Sequence, residues 1–277
     1  MTSHMQTSQL LESLHSSRSL LESSIPPGLL IANDSDYKRT HLLIHQTARL
    51  PSPAFVVTNV DASIFPALSL PPDDTAESSR RKNRQLLFDR ILCDVPCSGD
   101  GTVRKNVGIW KKWNPMDGNG LHSYVPISTH RTGKTNSHCP ARLQLRILQR
   151  AMRMLRRGGK IVYSTCSLNP VENEAVVAEA LRTVPGTHST IFMPSIPYVY
   201  LGFELVEVSE SLPSLIRRPG LTKWLPAVGR DIKYLETYDD YIISLPGGKG
   251  TARLVRSHWP PTGDLGLERW YVHLSLH

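Results

Sequence analysis

The chain has 277 residues, 40% of them hydrophobic and 20% charged, a size that supports one large domain or one domain with an appendage. With 32 Lys and Arg against 24 Asp and Glu, the net charge is +8, which suits a phosphate-rich partner without requiring one. Four cysteines, at 93, 97, 139 and 166, with no signal peptide before them, exclude a secreted disulfide scaffold; Cys93 and Cys97 lack the second pair a zinc site needs, and no apolar run approaches ~20 residues, so no membrane span is expected.

In chain order, residues 7–22 place Leu at helical spacing and predict an amphipathic helix that Pro26, Pro27 and Gly28 stop. A short buried strand is expected over 29–32, closing on acids that include Asp34. A helix follows over 36–50, on which His41 and His45 share a face without an acidic partner and are taken as packing or surface residues. A second strand over 54–58 ends near Asp61. Residues 69–85, rich in Pro, Asp, Ser and Arg, predict a surface loop. The run LLFDRILCDVP predicts a third strand, followed by a polar, glycine-containing loop over 97–113. A helix over 143–156 is expected to stop at Gly158-Gly159, a fourth strand to run through KIVYSTCS, and another helix to cover 171–182. Beyond 185 the pattern weakens and the region 186–277 is poorly defined; FELVEV at 203–208 has the composition of a strand.

Strands alternating with helices at this rhythm predict an α/β fold with a largely parallel sheet, and such sheets place ligands beyond the carboxyl ends of their strands. Asp34, Asp61, Asp94, Cys97 and Cys166 all fall at such ends. Two of these positions carry the strongest signal. Asp94-Val95-Pro96-Cys97-Ser98-Gly99 follows one strand, and Tyr163-Ser164-Thr165-Cys166-Ser167 follows another. A lone cysteine is usually a small buried hydrophobe. Two cysteines in polar loops at adjacent strand ends point instead to thiols exposed to substrate, whose surroundings can lower a pKa into the nucleophilic range.

The segments DVPCSGDGTVRKN and YSTCSLNPVENEAVV resemble the two cysteine motifs of the NOL1/NOP2/Sun family of RNA cytosine-5 methyltransferases, and IANDSDYKR is similar to a cofactor-side segment of that family. The run WKKW, with LIANDSDYKRTHLLIHQTARL before it, resembles the eukaryotic tRNA branch. The resemblance covers roughly 7–122, 143–182 and, more loosely, 204–269. It implies a Rossmann-like sheet, S-adenosylmethionine as cofactor, a tRNA as partner, and residence in the nucleus or nucleolus, with the cytoplasm as the alternative; a monomer without metal is expected besides. By the same resemblance Cys166 attacks C6 of cytosine, Cys97 assists release, and Asp94 holds the base edge near N3. Asp34 and Asp61, with Asp94 as a third acid, are the cofactor-binding candidates, Asp34 for the ribose hydroxyls and Asp61 for the adenine amino group. Read from the residues alone, Arg104, Lys105, Lys111 and Lys112 alternate with Trp110 and Trp113, a pattern suited to RNA phosphates and base stacking or to a solvated loop edge anchored on two core tryptophans.

Three departures from the family pattern are expected to matter. Residues 1–6 (MTSHMQ) contain no glycine and no apolar strand precedes residue 7, so the sequence is expected to start after the first strand and the glycine-rich cofactor loop, with weak or absent methyl transfer as the consequence. Residues 123–142, which include Cys139, interrupt the pattern and are expected to be a non-native insertion; 187–201 has the same character. The carboxyl end stops before the closing hairpin expected of the family. A partial catalytic domain is thus placed over 1–185. The rival expectations are an inactive RNA-binding remnant and, less in keeping with a Thr-Cys motif, a DNA cytosine methyltransferase.

Overall fold

The computed structural model describes residues 3–16, 25–70, 85–122, 143–184, 202–208, 210–211, 213, 216–229, 231–245, 254–269 and 271–273. The expected insertion at 123–142, Cys139 and the segment 187–201 lie outside the described residues. Two compact units make up the chain, Met1–Leu86 and Leu87–His277, so the catalytic domain expected over 1–185 draws on both.

In the first unit, α1 (Ser3–Ser16), β1 (Leu30–Asn33), α2 (Tyr37–Thr47) and β2 (Phe55–Thr58) succeed one another. The strands pair in parallel from Leu30↔Phe55 to Asn33↔Thr58, with α1 and α2 packed on them. Asp36 starts α2 by accepting the Arg39 N–H at 2.8 Å, which satisfies one of the amides a helix start leaves open. The helix ends at Thr47, three residues short of the predicted 50, because the residue before Pro51 is pushed out of helical geometry and the turn unwinds ahead of it. Leu11 and Leu43 supply the buried apolar contacts, each contributing about 2 kcal/mol by leaving water.

The second unit opens with β3 (Phe88–Asp94), then two short helices, α3 (Ile109–Lys112) and α4 (Pro115–His122), where the sequence predicts a loop as far as Trp113. α5 (Leu143–Met154) leads into β4 (Leu155–Ser164), which pairs in parallel with β3, and α6 (Glu174–Thr183) follows. Alternation along the strands turns Ile91, Cys93, Ile161 and Tyr163 toward Leu145, Leu148 and Met152 of α5 and Ala175, Val176 and Ala180 of α6. The glycine pair has a different role from the expected helix stop. α5 already ends at Met154, and Gly158, at φ 76°, lies inside β4 where the register jumps from Phe88↔Leu155 to Arg90↔Lys160. It makes a bulge, a place where a left-handed residue costs least when it is glycine.

The remaining elements are small: β5 (Arg217–Pro219), β6 (Ala227–Val228), β7 (Lys233–Tyr234), α7 (Tyr238–Ser244) and β8 (Tyr271–His273), with β5 pairing β8 and β6 pairing β7, both antiparallel. A second core forms there from Leu235, Tyr241, Leu254 and Trp259. Among the described residues the segment 203–208, expected as a strand, pairs with no other strand. Phe203 and Leu205 pack against the main core, but their segment joins no ladder, so burial rather than strand pairing holds them. Both units are α/β, each built on a parallel pair. No helix among the described residues is long and apolar enough to cross a membrane.

Candidate active site at adjacent strand ends

The β3–β4 ladder finishes on the pair Asp94↔Ser164, and a parallel pair sends both following loops off the same edge. Main-chain bonds then zip the loops together. Val95 N–H donates to Ser164 O at 3.1 Å, Gly101 N–H to Cys166 O at 3.0 Å, and Leu168 N–H to both oxygens of Asp100 at 3.1 and 3.2 Å. Cys97 Sγ and Cys166 Sγ end 3.1 Å apart as free thiols, and the Cys166 N–H donates to Cys97 Sγ at 3.2 Å.

The approach depends on Gly101. A Cβ there would stand 2.8 Å from Cys166 O, closer than a methyl group and a carbonyl oxygen can come. Gly101→Ala is therefore expected to separate the loops and destabilise the protein by about 1–3 kcal/mol, the usual cost of overpacking. A melting temperature equal to that of the unmodified protein would show that the close approach is dispensable.

The two thiols are electrostatically unlike. Cys166 is pulled down to about 7, first because Cys97 donates to its thiolate, against the opposing effects of burial and of the Asp94 charge. Cys97 is pushed well above the ordinary thiol range by the same hydrogen bond and then by burial. The pair thus favours ionisation at 166 over 97, and Cys166 is the more exposed of the two. Cys93, by contrast, is a core residue whose thiol is pushed up to about 12 by burial, which leaves it inert.

Asp94 lies exposed at the end of β3, where it accepts from Ser164 Oγ at 3.4 Å. Cys97, Cys166 and Asp94 are therefore brought together. Asp34 and Asp61 belong to the first unit, at the carboxyl ends of β1 and β2. Asp34 accepts the Asp36 N–H at 2.9 Å and pairs with Arg39 at 3.0 Å; Asp61 caps a short 3-10 turn by accepting the Ser63 N–H at 2.8 Å. Both thus do the turn and cap work such acids commonly do. A carboxylate has about four lone-pair positions, so these contacts leave acceptor capacity for a cofactor hydroxyl or amino group, and both residues fit that role.

Arg104, Lys105, Lys111 and Lys112 are exposed, and none is ion-paired among the described residues. Trp110 is 76% exposed, so it is no core anchor, whereas Trp113 is half-buried. Lys112 and Trp113 share a cavity of about 220 Å³ with Ser98, the residue after Cys97. His41 and His45 are exposed, and His41 lies 4.3 Å from the Tyr37 ring, centroid to centroid. Among the described residues no group of three or more His, Cys, Asp and Glu could hold a metal ion.

One residue of the site went unassigned from sequence. Glu172, fully buried, accepts the Ser98 N–H at 2.8 Å and Gln144 Nε2 at 3.1 Å on Oε2, and Ser98 Oγ at 2.5 Å and Ser167 Oγ at 2.8 Å on Oε1. Its carbonyl accepts from Tyr163 OH at 2.7 Å. The one available signal was its place six residues after Cys166, ahead of an apolar helix, where an acid ordinarily serves the helix start.

The profile of the 16S rRNA methyltransferase RsmB/F family matches residues 19–195. The chain is 43% identical over 226 residues to the multisite-specific tRNA:(cytosine-C(5))-methyltransferase of Saccharomyces cerevisiae, covering 82% of this chain and 26% of that one. It is 41% identical over 218 residues to the tRNA (cytosine(34)-C(5))-methyltransferase of Drosophila melanogaster, covering 79% and 24%. With the tRNA (cytosine(49)-C(5))-methyltransferase of Pyrococcus abyssi it shares 31% over 167 residues, covering 60% and 42%. The chain spans about a quarter of the length of the two eukaryotic relatives.

Proposed function

Since the chain belongs to the 16S rRNA methyltransferase RsmB/F family, we propose that it carries the two-thiol centre for methylating C5 of cytosine in RNA, with a tRNA as substrate, in the nucleus. The tRNA assignment is supported by the names of the relatives, whose matches cover most of this chain. One observation carries the chemistry: the 3.1 Å approach of two thiols of opposite electrostatic character at one sheet edge.

In the proposed mechanism the cytosine is unstacked from its neighbours to reach the thiols. Cys166 adds as a thiolate to C6, forming the Sγ–C6 bond and moving the ring electrons toward C5 and N3. Asp94 binds the base edge near N3 and stabilises the adduct. Asp34, Asp61 and Asp94 are the residues that would hold S-adenosylmethionine, which would supply an electrophilic methyl group for C5. Cys97 then takes the C5 proton, the C5–H electrons restore the C5=C6 double bond, and the Sγ–C6 bond breaks with its electrons leaving on Cys166 as the thiolate.

The resting pair explains how a thiol held protonated can later serve as a base. What keeps Cys97 protonated is first its bond to the Cys166 thiolate, then burial, with a smaller part from that thiolate's charge. Once Cys166 is a thioether the first and last of these vanish while burial remains, so the largest obstacle to ionising Cys97 is gone. Attack by the first thiol thus arms the second. Arg104, Lys105, Lys111 and Lys112 would hold RNA phosphates, with Trp110 as a stacking surface.

The test is bisulfite sequencing of tRNA incubated with S-adenosylmethionine and the complete protein. New 5-methylcytosine at discrete positions is expected; unchanged cytosine throughout would remove the proposal.

A further inference from the structure

A carboxylate removed from water needs a partner, and Lys and Arg are the usual ones. Among the described residues none pairs with Glu172. Its two oxygens are instead satisfied by donors alone, and the three donors other than Gln144 Nε2 come from the residues that follow the two cysteines: Ser98 after Cys97 and Ser167 after Cys166. Gln144 closes the arrangement, donating also to Pro96 O, the residue before Cys97, at 2.8 Å. Gly118 completes the wall around it, since a Cβ there would stand 2.5 Å from Glu172 Oε1. Ordinary stability does not call for a buried carboxylate in this place, and an apolar contact between the loops would cost less.

We propose that Glu172 is the positioning residue of the two-thiol centre: one buried carboxylate grips the neighbour of each cysteine and so sets Cys97 Sγ against Cys166 Sγ. The inference rests on the two-thiol function proposed above. It adds the element that holds the two sulfurs in contact. An acceptor-only group is required, because an amide in its place would turn an NH2 toward the Ser98 N–H or toward hydroxyls already donating to it. Depending on which way the amide turns, either the Ser98 N–H loses its acceptor or the Ser98 and Ser167 hydroxyls can no longer donate to it; in both cases the grip on the loops weakens and Cys166 loses the close S–H that favours its thiolate.

The sign of the effect separates positioning from charge. Removing a negative charge near a thiol favours its ionisation, so a merely electrostatic Glu172 would make Cys166 more reactive when neutralised. A positioning Glu172 makes it less reactive. A group that only stabilised the fold would change the melting temperature and leave the reactivity of Cys166 in the folded protein unmoved.

The experiment is iodoacetamide alkylation of the whole protein across pH, with each cysteine quantified by peptide mass spectrometry. In the unmodified protein Cys166 is expected to react with a midpoint near 7, well ahead of Cys97. In Glu172→Gln the midpoint should climb toward the ordinary thiol value of 9.0, slowing Cys166 at neutral pH by about tenfold or more. A profile that stays put, or one that moves to lower pH, overturns the proposal. Should Glu172→Gln fail to fold, the pair Ser98→Ala with Ser167→Ala keeps the carboxylate and removes both hydroxyl bridges. The same upward movement is expected, and an unmoved profile again overturns it. Because alkylation needs no RNA, the outcomes are separable. A Glu172-dependent Cys166 in a protein that methylates no RNA would leave the positioning role standing and sink the function. Equal reactivity of Cys97 and Cys166 in the unmodified protein would sink both.

Discussion

Cys97→Ala is expected to convert the protein into a trap: on mixing with tRNA and S-adenosylmethionine, a covalent RNA–protein adduct should accumulate and run as a slow band on a denaturing gel. The physical reason lies in the division of labour between the sulfurs. Cys166 still forms its bond to C6, but the base that should remove the C5 proton is gone, so the Sγ–C6 bond has no way to break at a useful rate. The substitution has a second consequence. Cys97 is the largest influence holding the Cys166 pKa down to about 7, and its loss should move Cys166 back toward 9.0. The sign follows directly: the thiolate is the reactive form, so adduct formation in the variant should be slow at neutral pH and accelerate as pH rises toward 9. A gel without a slow band at any pH in that interval would contradict the role given to Cys97.

Cys166→Ala is expected to abolish both adduct and product, with a loss of about 10⁴-fold or more, the scale on which enzymes lose rate when a covalent nucleophile is removed. Without the attacking thiolate, C5 never becomes electron-rich enough to take a methyl group, and Cys97 cannot substitute. It is half-buried where Cys166 is exposed, so losing the hydrogen bond that holds it protonated does not place it against C6. Methylation retained within tenfold in Cys166→Ala would reverse the assignment of the two sulfurs. The double variant, Cys97→Ala with Cys166→Ala, should show no slow band, which ties the trapped species to Cys166.

The two substitutions and Glu172→Gln touch one connected arrangement, so their effects should not add. Once Cys97 is absent there is no S–H for Glu172 to aim, and Glu172→Gln should then change the Cys166 alkylation profile far less than it does in the intact pair.

Much of the fold was legible because it is local. The helical run of α5 and the apolar runs of β3 and β4 are consequences of near neighbours, and the parallel rhythm of strand and helix follows from their order. Where long-range packing competes with a local signal, the expectation failed. Gly158-Gly159 has the look of a helix stop, yet β3 draws the chain into its ladder from Leu155 onward and the glycine becomes a bulge. FELVEV has strand composition, but its apolar residues find the core without a ladder partner. Trp110 and Trp113 look equivalent in sequence and differ in burial.

The sequence by itself determined the chemistry on offer: two cysteines in polar loops after apolar strands, an acid beside the first, and exposed cations with aromatics after it. Those features are written in residue type and short spacing. Only the tertiary structure decided how the thiols differ, because their inequality arises from a contact between positions 69 residues apart and has no trace in either loop alone. The same holds for Glu172. Six residues after Cys166 it is an ordinary acid ahead of a helix, and it becomes the link between the loops only when β3 and β4 pair in parallel and bring Ser98 to it from 74 residues away. Hydrogen bonds act over about 3 Å, so their consequences exist only where the fold has closed that distance.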